Sequence, residues 1–380
     1  MTLTQLFGDP KTSLPRRYDE DIETCLSKMF TGYLGLIESL DISGAKARVV
    51  RGNLKVITAI CKVIKDCISL YLLGEPADSY KEFERVMEIT RPWINKIVFP
   101  LSRLLGMTTA VSEREISIGD LYRIRIGYLT QFSRRELFHI PFELRCNVST
   151  KRYSIPGLPS LYLGSSLWIC WEELGRPDFS QVHVARFEGN KNLRVLDFGA
   201  TPDIYGSGLT SLGTDGVEVL EGDNATGQAI LWPVLAACSL ARRYPGTPFA
   251  PEYIIPQFLL QWVRKNKDID GIRYFSTRIT GTGHTSHKAL NFVFPVKSKR
   301  ETGLCPELED MFALTQPLAW PLLQSWEPRI DTGIMSDKST IPLADGVSAN
   351  YQETDFYRVE RKLSILTASR ASSGRPTSRI

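Results

Sequence analysis

The sequence lacks most of what would place it outside the cell or in a membrane. Its seven cysteines are an odd number with no paired spacing, which excludes a disulfide framework and predicts reduced thiols. Cys61 and Cys67 fall inside a helical pattern. Only four histidines occur. His284 and His287 are close together, but no cysteine or acidic cluster completes a metal site. Met1 to Asp9 has no cationic start and no long apolar run, so no signal peptide is expected. No stretch of about eighteen apolar residues could span a bilayer; the longest candidate, Ile57 to Leu73, is interrupted by Lys62, Lys65 and Asp66. A formal charge of +4 on 380 residues is too small to argue for nucleic acid as a partner. There is no internal repeat. A soluble, cytoplasmic, metal-free protein with room for two domains is the expectation.

What is present begins with helical periodicity. Ile22, Cys25, Met29, Tyr33, Leu36 and Leu40 recur at helical spacing, and Gly44 stands near the stop. Val50, Leu54, Ile57, Cys61, Ile64, Ile68 and Tyr71 then alternate steps of four and three. That heptad-like seam implies helix-on-helix packing. A third helix is expected from about Ser79 to Thr90. An intramolecular bundle is the plain reading, and a homodimer or partner-binding helix is the alternative. Lys46, Arg48, Arg51 and Lys55 read as a solvated face. No short turn between suitable helices supports a DNA-binding helix-turn-helix.

From Ile116 the texture changes. Strands are expected at Asp120 to Gly127, Val182 to Phe187, Leu193 to Phe198, Ile272 to Thr277 and Leu290 to Val296. Alternation is cleanest at Leu290, Phe292 and Phe294. Helices are expected at about Val234 to Arg243, with Pro233 at its first turn, and at about Pro256 to Lys265. The Gly/Ser/Thr/Asp-rich stretch from Gly199 to Asp223 reads as a long surface loop. This mixture is α+β, not an alternating doubly wound sheet. The predicted organisation is an all-α helical domain over 1–115 and a mixed-sheet domain over 116–298. A C-terminal extension over 299–368 follows, docking Leu308 to Trp326 on the main body, and then a disordered basic tail over 369–380.

Chemistry-bearing residues concentrate between Arg145 and Pro177. Arg152 and Tyr153 precede a turn at Ile155-Pro156-Gly157-Leu158-Pro159. A short strand follows around Leu161-Tyr162-Leu163, and then a helix carrying Glu172 and Glu173. Leu167, Cys170, Trp171 and Leu174 have the i, i+3, i+4, i+7 spacing of one buried face. A serine can cap this helix, and Gly175 with Pro177 stops it. An arginine, a strand tyrosine and a helix carboxylate thus converge as a site for an anionic, ring-bearing substrate. Taken singly, each has a plainer reading: exposed helix glutamates, surface arginines, a core tyrosine. Gly281-Thr282-Gly283 lacks the third glycine and following helix of a dinucleotide loop. Gly206-Ser207-Gly208 lacks the strand-to-helix turn of a hydrolase elbow.

These residues resemble the RES domain, a family of NAD-degrading toxins similar to ADP-ribosyltransferases. The likeness spans about residues 120 to 296. It rests on Leu121-Tyr122-Arg123-Ile124-Arg125, Arg152, Leu161-Tyr162-Leu163 with Glu173, and Asp270-Gly271-Ile272-Arg273-Tyr274-Phe275-Ser276. Where the family carries a glycine-rich run with Arg-Trp-Asn, this chain reads Lys151-Arg152-Tyr153-Ser154. The resemblance implies an enzyme that consumes NAD+ as substrate and breaks its nicotinamide–ribose bond, passing ADP-ribose to water, phosphate or a protein. Positive charge grows on the ribose in that reaction, so a carboxylate must lie beside the sugar and cations beside the pyrophosphate. Glu173 would be the carboxylate. Glu172 is its rival, about 100° away around the helix. Arg123 and Arg152 would grip phosphate or ribose oxygens, with Arg125 able to substitute for Arg123, and Tyr153 beside Arg152 would complete that contact. Tyr162 would stack on nicotinamide or hydrogen-bond the ribose, and Ser276 would hold a carboxamide or ribose hydroxyl. Members of the family often pair with an antitoxin, which by this resemblance the helical domain would replace or contact. A catalytically silent, RES-like scaffold for a nucleotide or partner is the second reading.

Overall fold

The computed structural model describes residues 1–105, 120–128, 131–190, 192–199, 224–279, 287–328, 339–344 and 347–372. The expected break near residue 115, nearly all of the expected 199–223 loop, Gly281-Thr282-Gly283, His284 and the tail from 373 lie outside those residues. The principal elements begin with helices α1 (Ile22–Glu38), α2 (Ala45–Gly52), α3 (Leu54–Leu72) and α4 (Pro76–Ile89). Strands β1 (Leu121–Ile126) and β2 (Ser160–Gly164), helix α5 (Leu167–Glu173) and strand β3 (Val182–Gly189) come next. Helices α6 (Asn224–Cys238) and α7 (Ile254–Lys265) are followed by strands β4 (Gly271–Phe275), β5 (Leu290–Pro295), β6 (Phe312–Leu314) and β7 (Leu318–Ala319). Helix α8 (Asp355–Ser364) lies near the end. The mixture is compatible with an α+β class.

Two compact units divide the chain. The first comprises Met1–Val98, Thr150–Tyr153 and Leu196–Lys265; the second comprises Phe99–Ser149, Ser154–Val195 and Asn266–Ile380. The division is interleaved and does not follow the expected break at 115/116. The reason lies in α6, in which every residue from Ala225 to Cys238 is buried. A helix apolar on all sides cannot cover a sheet with one face and show the other to water. It forms the centre of the helical unit, packed against α2 and α3. Pro233 lies in its interior and not in the first turn. Proline has no N–H, so the carbonyl one turn earlier, Ala229, loses its helical donor. The Tyr33 hydroxyl of α1 donates to that carbonyl, and its ring stacks on Trp232 at 4.1 Å.

The same unit follows the sequence periodicity closely elsewhere. Ile22, Cys25, Met29, Tyr33 and Leu36 are buried on α1, which Asp21 caps by accepting from the Thr24 N–H. The heptad-like seam is not one helix: Asn53, at φ −97° and ψ 17°, breaks it into α2 and α3. Val50, Ile57, Cys61, Ile64 and Ile68 are nevertheless all buried.

In the second unit the strands pair antiparallel in the order β4-β5-β2-β1-β3-β6, with β7 also on β3. β1 pairs with β3 along its whole length, from Leu121 opposite Phe187 to Ile126 opposite Val182. Against β2, among the described residues, it pairs at Tyr122 opposite Gly164. Past that pair the Arg123 side chain, and not a backbone N–H, reaches the Tyr162 carbonyl.

The segment after 298 is more than a docked extension. Trp320, Leu323, Ile341, Tyr351, Phe356, Val359 and Leu363 share one apolar core with Trp168 and Ile169 of α5 and with Val182 and Val184 of β3. Arg186, buried on β3, ties this segment down. It pairs with Asp120 at 2.9 Å and donates to the carbonyls of Leu363 and Leu366. Among the described residues no helix is long and apolar enough to cross a membrane, and no group of three His, Cys, Asp or Glu side chains is placed to hold a metal ion. All seven thiols are free.

Candidate functional site

Helix α5 carries both glutamates, and its setting decides their fates. Ser166 accepts from the Ile169 N–H as its cap, and Gly175 (φ 82°) followed by Arg176 (φ 60°) turns the chain away after its end. A Cβ on Gly164 would stand 2.6 Å from Cys170 Sγ and 2.7 Å from Ile169 Cγ2. Only glycine lets α5 fold back this tightly on β2. The buried face is rotated from the expected one. Trp168 and Ile169 are fully buried, Cys170 and Trp171 only partly, and Leu174 is 43% exposed. The rotation follows from burial on two sides, since the C-terminal segment covers the helix opposite the sheet.

That rotation buries Glu172. It accepts from Trp168 Nε1 at 3.1 Å and pairs with Arg176 at 2.9 Å. Its hydrogen-bonding capacity is spent within its own helix and turn. Glu173 points elsewhere and is about a third exposed (side chain 35%). Its Oε1 accepts from Ser276 Oγ at 2.6 Å and from Asn291 Nδ2 at 2.9 Å. Arg278 Nε lies 3.5 Å from Oε2. Glu173 and Ser276, 103 residues apart in sequence, are therefore directly bonded. Ser276 is buried, and its oxygen also accepts from the Arg278 N–H. Its hydroxyl proton faces Glu173, which makes it a support for the carboxylate more than a contact for a ligand.

Asn291 and Arg278 were not singled out from the sequence. Asn291 carried a signal, since it is the one amide in the apolar run Leu290-Asn291-Phe292-Val293-Phe294. A buried side-chain amide demands a partner. Register places it opposite Gly164 on β2 and Tyr274 on β4, on the sheet face where α5 lies.

Arg123 bridges β1 and β2. Its Nη1 donates to the Tyr162 carbonyl at 3.1 Å, a group that would otherwise face β1 across the ladder. Burial pulls its pKa down to about 10, with Arg125 adding to the effect, so it stays protonated at neutral pH. Burial pushes the Cys170 thiol up to about 12, and Arg123 and Glu173 act on that thiol with opposite signs. Tyr162, half-buried, alternates with the buried Leu161 and Leu163. Arg125 is exposed, donates to the Glu136 carbonyl and lies 4.9 Å over the Phe132 ring.

Arg152 and Tyr153 belong to the first unit. Arg152 donates to the Cys238 carbonyl at 3.0 Å and stacks over Tyr253 at 5.2 Å. Tyr153 is 1% exposed and hydrogen-bonds Cys238. Both are engaged with the end of α6, whereas Arg123, Arg125, Tyr162, Glu172, Glu173 and Ser276 all lie in the second unit.

A second buried carboxyl supports α5 from behind. Glu360 of α8 accepts from the Leu167 N–H at 2.6 Å and from the Tyr351 hydroxyl at 2.5 Å. Burial lifts its pKa to about 7, against the pull of Lys288. Its folded pKa is above the unfolded one, so the fold holds this proton more tightly. The contribution is full below the ordinary carboxylate range, declines as pH rises through about 7, and is flat above. Glu360→Gln keeps an acceptor oxygen and removes the titration. The variant should lose up to about 3 kcal/mol less stability than the parent between pH 5 and pH 8. Denaturant melts of both proteins at the two pH values check this, and parallel losses would refute it.

The fold and site together define a protein of mixed α and β structure with a supported glutamate, about a third exposed, beside an antiparallel sheet. The chain is similar to the protein named "Putative toxin YopC" of Bacillus subtilis (strain 168), at 29% identity over 356 residues. The match covers 91% of this chain and 76% of that protein. No family model matches the sequence, and no solved structure matches it.

Proposed function

We propose that the chain is an NAD+-consuming toxin whose second unit is a RES-like, ADP-ribosyltransferase-type catalytic fold. One observation carries the reading: Glu173 and Ser276, the pair that the RES resemblance selects from distant parts of the sequence, are bonded at 2.6 Å. The likeness to a protein named as a toxin supports the biological half of the proposal.

In this reading NAD+ lies beside β1 and β2, at the Arg123 and Tyr162 contact. Arg123, with Arg125 or Arg278, faces its phosphates, and Tyr162 faces the nicotinamide. The C–N bond to nicotinamide breaks, its electron pair leaves with the ring nitrogen, and neutral nicotinamide departs. Glu173 stabilises the ribosyl cation that remains. Water, phosphate or a protein side chain then bonds to the anomeric carbon and releases its proton to solvent. A partner antitoxin follows from the toxin reading.

Purified protein incubated with NAD+, with and without inorganic phosphate, tests it. Nicotinamide is expected in both cases. ADP-ribose would mark water as acceptor, and an ADP-ribose phosphate would mark phosphate. NAD+ recovered intact, with nucleotide still bound, would favour the silent scaffold.

A further inference from the structure

We propose that Asn291 is a positioning residue for Glu173, fixing which of its two oxygens meets the substrate. The inference rests on the NAD+-cleaving reading and deepens it. Both short donors converge on one atom: Ser276 Oγ at 2.6 Å and Asn291 Nδ2 at 2.9 Å reach Oε1. Among the described residues, Oε2 has the longer approach of Arg278 Nε at 3.5 Å, from a side chain 58% exposed.

A carboxylate on the last residue of a helix rotates freely about its terminal torsions unless both its plane and its tilt are fixed. One donor fixes a distance, and a second donor from a different strand fixes the plane. Ser276 follows β4 and Asn291 sits on β5, so two neighbouring strands of one sheet hold the group. Asn291 is itself only 6% exposed, which leaves its amide little freedom to turn away. Oε2 is thereby left for the substrate, which would displace the exposed Arg278 from it. The ligand chemistry that fits Oε2 is a ribosyl hydroxyl or a ring bearing positive charge. Anions do not fit there.

The test is steady-state NAD+ cleavage by full-length protein, parent against Asn291→Ala and Asn291→Asp. Each variant is first shown to melt cooperatively. Asn291→Ala should lower kcat by about 10- to 100-fold and leave KM within about threefold, because the lost restraint acts on the reacting centre and not on ground-state binding. Asn291→Asp should fall further, since it sets a carboxylate against a carboxylate. If Asn291→Ala does not fold, Asn291→Ser, which keeps a shorter donor, supplies the comparison, and its kcat should drop with KM again preserved. An active parent with kcat unchanged in the folded variant would overturn the positioning role. So would a loss carried by KM with kcat unchanged. A parent with no NAD+ cleavage would overturn the catalytic reading and this inference with it, which separates the two failures.

Discussion

Glu173→Gln is expected to abolish NAD+ cleavage, by about 100-fold or more, in a protein that still folds. The substitution keeps the length of the side chain and one oxygen for Ser276 and Asn291 to address. What it removes is the negative charge facing the ribose as positive charge develops there, and a preorganised charge of this kind contributes about 3 kcal/mol or more to a transition state. Glu173 is about a third exposed and carries little of the core, so melting should shift by no more than a few degrees. Glu172→Gln is the opposite case. Its carboxylate is bonded to Trp168 and Arg176, so loss of the charge should cost about 1 kcal/mol of stability. Cleavage per folded molecule should be retained. NAD+ turnover and melts on the same samples separate the two glutamates. A dead Glu172→Gln beside an active Glu173→Gln would reverse the assignment and, with it, the site.

Much of this site was legible because its parts sit on regular elements. The i, i+3, i+4 spacing gave α5, the serine before it gave a cap, and Gly175 its stop. A one-residue step along α5 then decides that Glu172 turns inward and Glu173 toward β4 and β5. What spacing alone could not show was the cover on the second side of α5, because Phe356, Val359 and Leu363 arrive from nearly two hundred residues away. That cover rotates the buried face onto Trp168 and Ile169. The reading of Arg152 rested on its closeness in sequence to Tyr162 and the helix glutamates and on the family resemblance. In the structure its guanidinium meets the Cys238 carbonyl at the end of α6, a long-range contact that no local pattern announces. The helix expected from Val234 begins ten residues earlier, at Asn224. A proline read as a first-turn residue is in fact an interior one, tolerated because Tyr33 supplies the missing donor. Asn291 shows the reverse situation. Its signal was in the sequence, as a single amide in an otherwise apolar strand, and its meaning required Glu173 to be seen beside it.

Ending the chain at Ser298 should abolish both the fold of the second unit and any cleavage. The segment removed supplies Trp320, Leu323, Phe356, Val359 and Leu363, all at most 5% exposed, to the core that backs α5. Burying a side chain of this size stabilises by about 1.5 to 3 kcal/mol. Five of them therefore exceed the low end of a typical domain stability, about 5 kcal/mol. The loss does not stop at apolar area. Without α8 the Leu167 N–H loses its Glu360 partner, and Arg186 of β3 loses the carbonyls of Leu363 and Leu366. Arg186 keeps its pairing with Asp120 but loses two carbonyl acceptors, about 1 kcal/mol each. The helix that carries Glu173 would then have sheet on one side and water on the apolar other. Circular dichroism in the near-ultraviolet, melting and NAD+ turnover on the shortened chain give the answer. A soluble protein that melts cooperatively and cleaves NAD+ with Glu173 intact, but not as Glu173→Gln, would show that residues 1–298 are sufficient and that the C-terminal segment only covers a core already formed.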